Sequence, residues 1–113
     1  MLRKFSLALA AIVVTAGTAW ADPIEGDWKT QSGETAAISG GGSFSIKLKT
    51  GKYAGKSIGS LKATGNNSYA GSITDPATDK TYSGKATLSG STLKMSGCVL
   101  GGLICKNQTW QKL

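Results

Sequence analysis

The 113-residue chain contains no histidine. That removes the side chain that most often acts as general base near neutral pH and most often ligates metals. Its two cysteines, Cys98 and Cys105, lie too far from other ligand-type residues to build a thiolate metal site. The single arginine is Arg3. No apolar run approaches the ~20 residues needed to span a bilayer as a helix. Beyond the first 21 residues there is no helical periodicity and no internal repeat, and Gly40–Gly42 opens no helix that would cradle a phosphate. Together these absences leave no catalytic constellation, no metal site and no cofactor motif. Of the available function classes, an enzyme is the least supported.

The N-terminus is recognisable. Arg3 and Lys4 precede an apolar stretch from Phe5 to Val14, and small residues lead to Ala19-Trp20-Ala21. A basic start, a short apolar core and an A-x-A ending describe a secretory signal peptide over residues 1–21, cleaved before Asp22. The run is too short for a membrane anchor, so none is expected after cleavage. The expected product is one domain, Asp22–Leu113, exported to the periplasm or secreted, where a disulfide persists. Its eleven lysines and six acidic residues give a net charge of +5. Those lysines are scattered instead of interleaved with aromatics, and the compartment is wrong for nucleic acid. Weak association with anionic envelope polymers is the partner that charge alone suggests.

Glycine is abundant, but apolar and polar residues alternate with period two. Phe44, Ile46 and Leu48 form one such set; Tyr69, Gly71 and Ile73 another; then Tyr82, Gly84, Ala86 and Leu88, and Leu93, Met95, Gly97 and Val99. Turn signals at Ser32-Gly33, Gly40–Gly42, Gly65-Asn66-Asn67, Asp75-Pro76 and Ser89-Gly90 separate them. The expected fold is all-β: a small antiparallel up-and-down barrel of about eight short strands, closed so that no edge is left unpaired. Centring hairpins on Asp75–Lys80 and Ser89–Thr92 pairs Ile73 with Tyr82, Gly71 with Gly84, Tyr69 with Ala86, Leu88 with Leu93, and Ala86 with Met95. Inward residues meet inward residues throughout, as a correct register demands.

The last hairpin is the most specific segment. Gly101-Gly102 suits a two-residue turn, with Leu100 facing Leu103, Val99 facing Ile104, and Cys98 facing Cys105. Directly opposed Cα atoms in an antiparallel pair lie close enough for a disulfide, which here clamps the outer face. Continuing the alternation points Lys106 and Gln108 inward. A β-bulge after Cys105 that turns Lys106 outward is the favoured reading, because an ammonium inside so small a barrel needs a partner. The other reading is an interior polar patch, facing Gly71, Gly84 and Gly97, for an anionic or hydrogen-bonding ligand group.

Gly26-Asp27-Trp28 opens the first strand, and Lys112 closes the last. This Gly-x-Trp with a distal cation resembles the calycin pattern of lipocalin-type and avidin-type barrels. The resemblance implies that the Trp28 indole plugs one barrel end beneath Lys112, with Gly26, Trp28, Trp110 and Lys112 as structural residues. More closely, the chain resembles the bacterial secreted family called domain of unknown function 2147. It shares an Asp-Pro-x-x-Gly-x-Trp opening (Asp22, Pro23, Gly26, Trp28) and an Asp-Pro…Lys-x-Tyr turn (Asp75, Pro76, Lys80, Tyr82). It also shares a closing Gly-Cys-x-x-Gly-Gly-x-x-Cys…Gln-Thr-Trp (Gly97 to Trp110). It departs in lacking further cysteines around Ser39–Ala54 and in a short Thr50–Lys56 loop. The family has no agreed activity, so the resemblance implies fold and location.

Carboxylates occur as Asp22, Glu25 and Asp27, and as Asp75 and Asp79. Paired acids can hydrolyse glycosides, but Asp75 before Pro76 reads as turn chemistry. Asn66-Asn67-Ser68 and Asn107-Gln108-Thr109 match glycosylation sequons, relevant only in a host with that machinery. Two readings stand above the enzyme. One is a non-enzymatic barrel binding a small lipophilic or amphipathic ligand, with Trp28, Tyr69, Tyr82 and Met95 lining the site and Lys106 and Gln108 as its polar contacts. The other is a structural or interaction protein of the envelope with a filled interior.

Overall fold

A computed structural model describes residues 22–113; the leader reading falls on residues outside that range. Eight strands follow in chain order: β1 (Gly26–Lys29), β2 (Thr35–Gly40), β3 (Ser43–Leu48), β4 (Ser57–Gly65), β5 (Ser68–Thr74), β6 (Thr81–Ser89), β7 (Thr92–Val99) and β8 (Ile104–Lys112). Each pairs antiparallel with the next, and β1 pairs with β8, closing the barrel. In β3 the alternation is clean: Phe44, Ile46 and Leu48 are buried while Ser43, Ser45 and Lys47 are exposed. Ile38, Leu61, Ala86, Leu93 and Met95 complete the same interior from other strands.

The registers inferred from the turns hold. Ile73 opposes Tyr82, Gly71 opposes Gly84, and Tyr69 opposes Ala86; Ala86 opposes Met95 and Leu88 opposes Leu93. Cys98 opposes Cys105 with Cα atoms 4.0 Å apart, and the two are disulfide-bonded. Closing so short a loop stabilises the fold by roughly 2–3 kcal/mol on chain-entropy grounds. The turn is longer than a two-residue hairpin. The strands end at Val99 and Ile104, and Leu100–Gly102 forms a single 3₁₀ turn in which the Leu103 N–H donates to the Leu100 carbonyl at 3.3 Å. Leu100 itself takes a positive φ of 55°, so Leu100 and Leu103 leave the ladder.

The bulge expected after Cys105 is absent. The β7–β8 register runs without a break from Thr92 opposite Gln111 to Val99 opposite Ile104, which keeps Lys106 opposite Gly97 on the inner side. The desolvation cost that argued for a bulge does not arise, because Lys106 is exposed. Its ammonium stands 5.7 Å from the Tyr82 ring centroid. Bulges occur elsewhere, between β3 and β4 at Ile46/Lys47 and between β4 and β5 at Ala63/Gly65. Two glycines of the row, Gly71 and Gly84, do not line empty space. A Cβ on Gly84 would meet Ile73 Cγ1 at 2.7 Å, and one on Gly71 would collide with the Ser60 carbonyl. These glycines permit close packing of the wall.

The seam between β1 and β8 is short, with only Trp28–Lys112 and Lys29–Gln111 in register. Side-chain and terminal bonds extend it. Gln31 Oε1 accepts the Thr109 N–H at 3.0 Å, and the Leu113 N–H donates to the Asp27 carbonyl at 3.0 Å.

Candidate functional site

The barrel's two ends are built differently. One end carries the β2–β3, β4–β5 and β6–β7 turns, each only two residues long. Asp22–Glu25 folds across this end. Ile24 is fully buried, and so is Trp28 behind it. The Trp28 indole N–H donates to the Ile24 carbonyl at 2.9 Å. Lys112 lies with its ammonium 5.0 Å from the Trp28 ring centroid and donates to the carbonyls of Pro23 and Glu25. Gly26 makes this seat available. It has φ +130°, and a Cβ there would stand 3.0 Å from Lys112 Nζ.

Tyr69 completes the closed end. Its ring meets Phe44 edge-on, with centroids 5.8 Å apart and planes at 85°. Its hydroxyl donates to Asp22 Oδ1, which also accepts the Ile24 N–H at 3.0 Å. Burial first, and then the bonded Asp22 carboxylate, push the Tyr69 phenol well above its ordinary range.

The other end is open. Its walls are the β1–β2, β3–β4 and β5–β6 loops and the lower half of β8. One hollow of about 200 Å³ is lined by Ile58, Ile73, Tyr82, Met95, Trp110, Lys106, Gln108 and Asp75, among others. A second, of about 270 Å³, lies under the β3–β4 loop against Tyr53, Leu48 and Pro76 and shares Ile58, Asp75, Gln108 and Trp110 with the first. Lys56 ties two of the loops together, 2.9 Å from Asp79 Oδ1 and 3.4 Å from the Pro76 carbonyl.

The polar groups at this mouth include donors, Lys52, Lys106 and Gln108, beside the carboxylates of Asp75 and Glu34. An indole N–H can only donate, and Trp110 Nε1 lies 2.9 Å from Gln108 Oε1. The Gln108 carbonyl is therefore engaged, which leaves its NH₂ as the donor side of the amide. The ammonium groups of Lys80 and Lys106 each stand 5.7 Å from the Tyr82 ring centroid. Those of Lys52 and Lys56 stand 5.7 Å and 5.9 Å from Tyr53. Asp75, the acid on the wall of both hollows, spends Oδ1 on the Ala77 N–H at 2.9 Å.

A bacterial family matches residues 45–112, from within β3 to the end of β8. The chain belongs to this family, described as uncharacterized protein conserved in bacteria, DUF2147. No curated protein and no solved structure matches the chain. The DUF2147 match takes in the disulfide hairpin, Gln108 and Trp110, whereas Asp22, Gly26 and Trp28 lie before its first residue.

Of the six residues named from the sequence as ligand contacts, Tyr82, Met95, Lys106 and Gln108 meet at the open hollow. Trp28 and Tyr69 do not join them; both are sealed in the closed end. Trp110, read as a structural residue, is buried in the core and also lines both hollows. Ile58 and Tyr53 were missed. Ile58 is the extra residue of the β3–β4 bulge, where Ile46 opposes Gly59 and Lys47 opposes Ser57. Strict alternation counted back from Leu61 puts Ile58 outside, so period-two reading hides it. Gln108 and Trp110, two apart on one strand face, are the sequence signal for the indole–amide bond.

Proposed function

We propose that this DUF2147 protein is an exported, non-enzymatic barrel whose open end takes a small, partly apolar ligand bearing an anionic, acceptor-rich head. The observation that carries the reading is the Trp110–Gln108 bond. It occupies the Gln108 carbonyl and leaves that amide's NH₂ as its donor, on the wall of a hollow that Ile58, Ile73 and Met95 share with Lys106 and Asp75. A cavity of roughly 150 Å³ admits benzene, so about 200 Å³ suits a one-ring or short branched molecule. Its carboxylate would lie between Lys106 and Gln108, where charge-assisted bonds are strongest. The Cys98–Cys105 disulfide supports export, since such bonds persist outside the reducing cytoplasm. No helix among the described residues is long and apolar enough to cross a membrane.

Titration with benzoate, benzyl alcohol and benzylamine, read through Trp110 fluorescence, tests the reading. Benzoate is expected to saturate the signal, the alcohol to bind more weakly, and the amine not at all. Lys106→Met should weaken benzoate roughly tenfold, the equivalent of about 1.4 kcal/mol. A flat response to all three, with no small molecule co-purified, overturns the binding reading. That outcome favours the second one, an interaction protein of the envelope. Its supporting observation is the clamped hairpin tip, where Leu100 and Leu103 are 67% and 85% exposed.

A further inference from the structure

Asp22 is half-buried and its backbone nitrogen lies 3.2 Å from Glu25 Oε2. The other Glu25 oxygen accepts the Gly40 N–H at 3.2 Å, so the carboxylate spans the N-terminal segment and the end of β2. Asp22 is held on every side. Its carbonyl accepts the Glu25 N–H at 2.9 Å, its carboxylate holds Ile24 and Tyr69, and Pro23 restricts its backbone to extended conformations. The ionisable groups facing this nitrogen are the carboxylates of Glu25 and Asp22, with the Tyr69 phenol and the Lys112 ammonium behind them.

We infer that cleavage before Asp22 is the step that completes the closed end, by turning this backbone nitrogen into an α-ammonium ion-paired with Glu25. The inference rests on the export reading, which supplies a leader peptidase. Water hydrolyses the Ala21–Asp22 peptide bond; the Ala21 carbonyl carbon takes the water oxygen and leaves as a carboxylate on the leader, and the Asp22 nitrogen takes up protons as an ammonium. Before cleavage that nitrogen is neutral and offers one N–H. Afterwards it carries a full charge at neutral pH and three donors, against a carboxylate already in place. Processing and sealing of the plug over Trp28 thus become one event.

The test begins with the protein exported by its own leader, whose N-terminal residue is expected to be Asp22. The mature chain and a chain extended by Gly-Ser before Asp22 are then compared, each with Glu25 and with Glu25→Gln. In the mature chain Glu25→Gln should lower the melting midpoint by about 4 °C, the shift that roughly 1 kcal/mol causes in a domain of this size. In the extended chain the same substitution should cost less than half as much. The extension alone should also lower the midpoint, a comparison that needs no substitution in the plug. Equal losses from Glu25→Gln in both chains, or equal midpoints with and without the extension, overturn the ion pair and leave export standing. Retention of the leader by intact cells overturns export, and the cleavage step with it.

Discussion

The two ends of this barrel use the same kinds of residue for opposite purposes. At the closed end a tryptophan, a tyrosine and a lysine are locked. Trp28 and Tyr69 are buried, and Lys112 is spent on two carbonyls and an indole face. At the open end another such set, Trp110, Tyr82 and Lys106, stands around a hollow. The difference lies in the connections. Two-residue turns end flush with the strands, which leaves an opening that a stretch of chain from one terminus can cap. The longer β1–β2, β3–β4 and β5–β6 loops rise past the strands and wall in a space no side chain fills. The closed end is sealed by the N-terminal segment, while the open end is clamped by the Cys98–Cys105 disulfide and keeps Lys106 exposed beside the hollow.

The contrast is broken most directly by Trp28→Ala. Removing a fully buried indole on which Ile24 and Lys112 rest should cost about 3–5 kcal/mol in unfolding free energy. Denaturant unfolding that finds a loss below 1 kcal/mol would mean that the closed end is not the anchor of the fold.

Between the two ends, the wall is probed by Gly84→Leu. With Ile73 side-chain carbons within 2.8 Å of the added Cβ, the substitution should overpack the interior and cost about 1–3 kcal/mol or more. An unchanged melting temperature would show that the wall has room, and that the hollow extends between the strands.

Tyr69→Phe sharpens the contrast through pH. The Tyr69 phenol titrates above its unfolded-state range. Its stabilisation is therefore fully present below the unfolded tyrosine value of about 10 and is lost as pH climbs from there toward the folded value. The parent protein should lose stability above about pH 10 more steeply than Tyr69→Phe. Melting curves from pH 8 to 11 decide the point, and parallel profiles would remove the Asp22–Tyr69 bond from the account.

The smallest expected effect on stability belongs to the open end. Lys106 is exposed, so Lys106→Met should shift unfolding free energy by no more than about 0.5 kcal/mol. A larger loss would make Lys106 part of the scaffold and erase the division between the ends.

Much of the fold was legible because strands announce themselves locally. The turn at Asp75–Lys80 and the alternation on either side sufficed to pair Ile73 with Tyr82 and Gly71 with Gly84, since a slip of one residue would have turned every apolar side chain outward. The hairpin that carries Cys98 and Cys105 was legible for the same reason. The site was legible in part. Met95, Tyr82 and Gln108 follow from parity on strands whose register was correct, and Lys106 joins them only because the favoured bulge is absent, whereas Trp28 and Tyr69 share that parity but sit at the other end of the barrel. Alternation says which face a residue takes and nothing about which end of a closed sheet is capped.

Period-two pattern and turn chemistry, both properties of neighbouring residues, thus determined an all-β chain, the β5–β8 ladder and the position of the disulfide. What only the tertiary structure decided are the relations between distant segments. The extra residue Ile58 turns inward because β3 and β4 are joined through a bulge. Lys106 keeps the inner side because the β7–β8 register runs unbroken and leaves it exposed. Gly71 has to be glycine because the Ser60 carbonyl crosses within contact of it. Asp22–Glu25 becomes a plug because Tyr69, Gly40 and Lys112 arrive at the same place with partners for its polar atoms. Each depends on where the barrel brings another strand, and that distance in space is not written in the spacing along the chain.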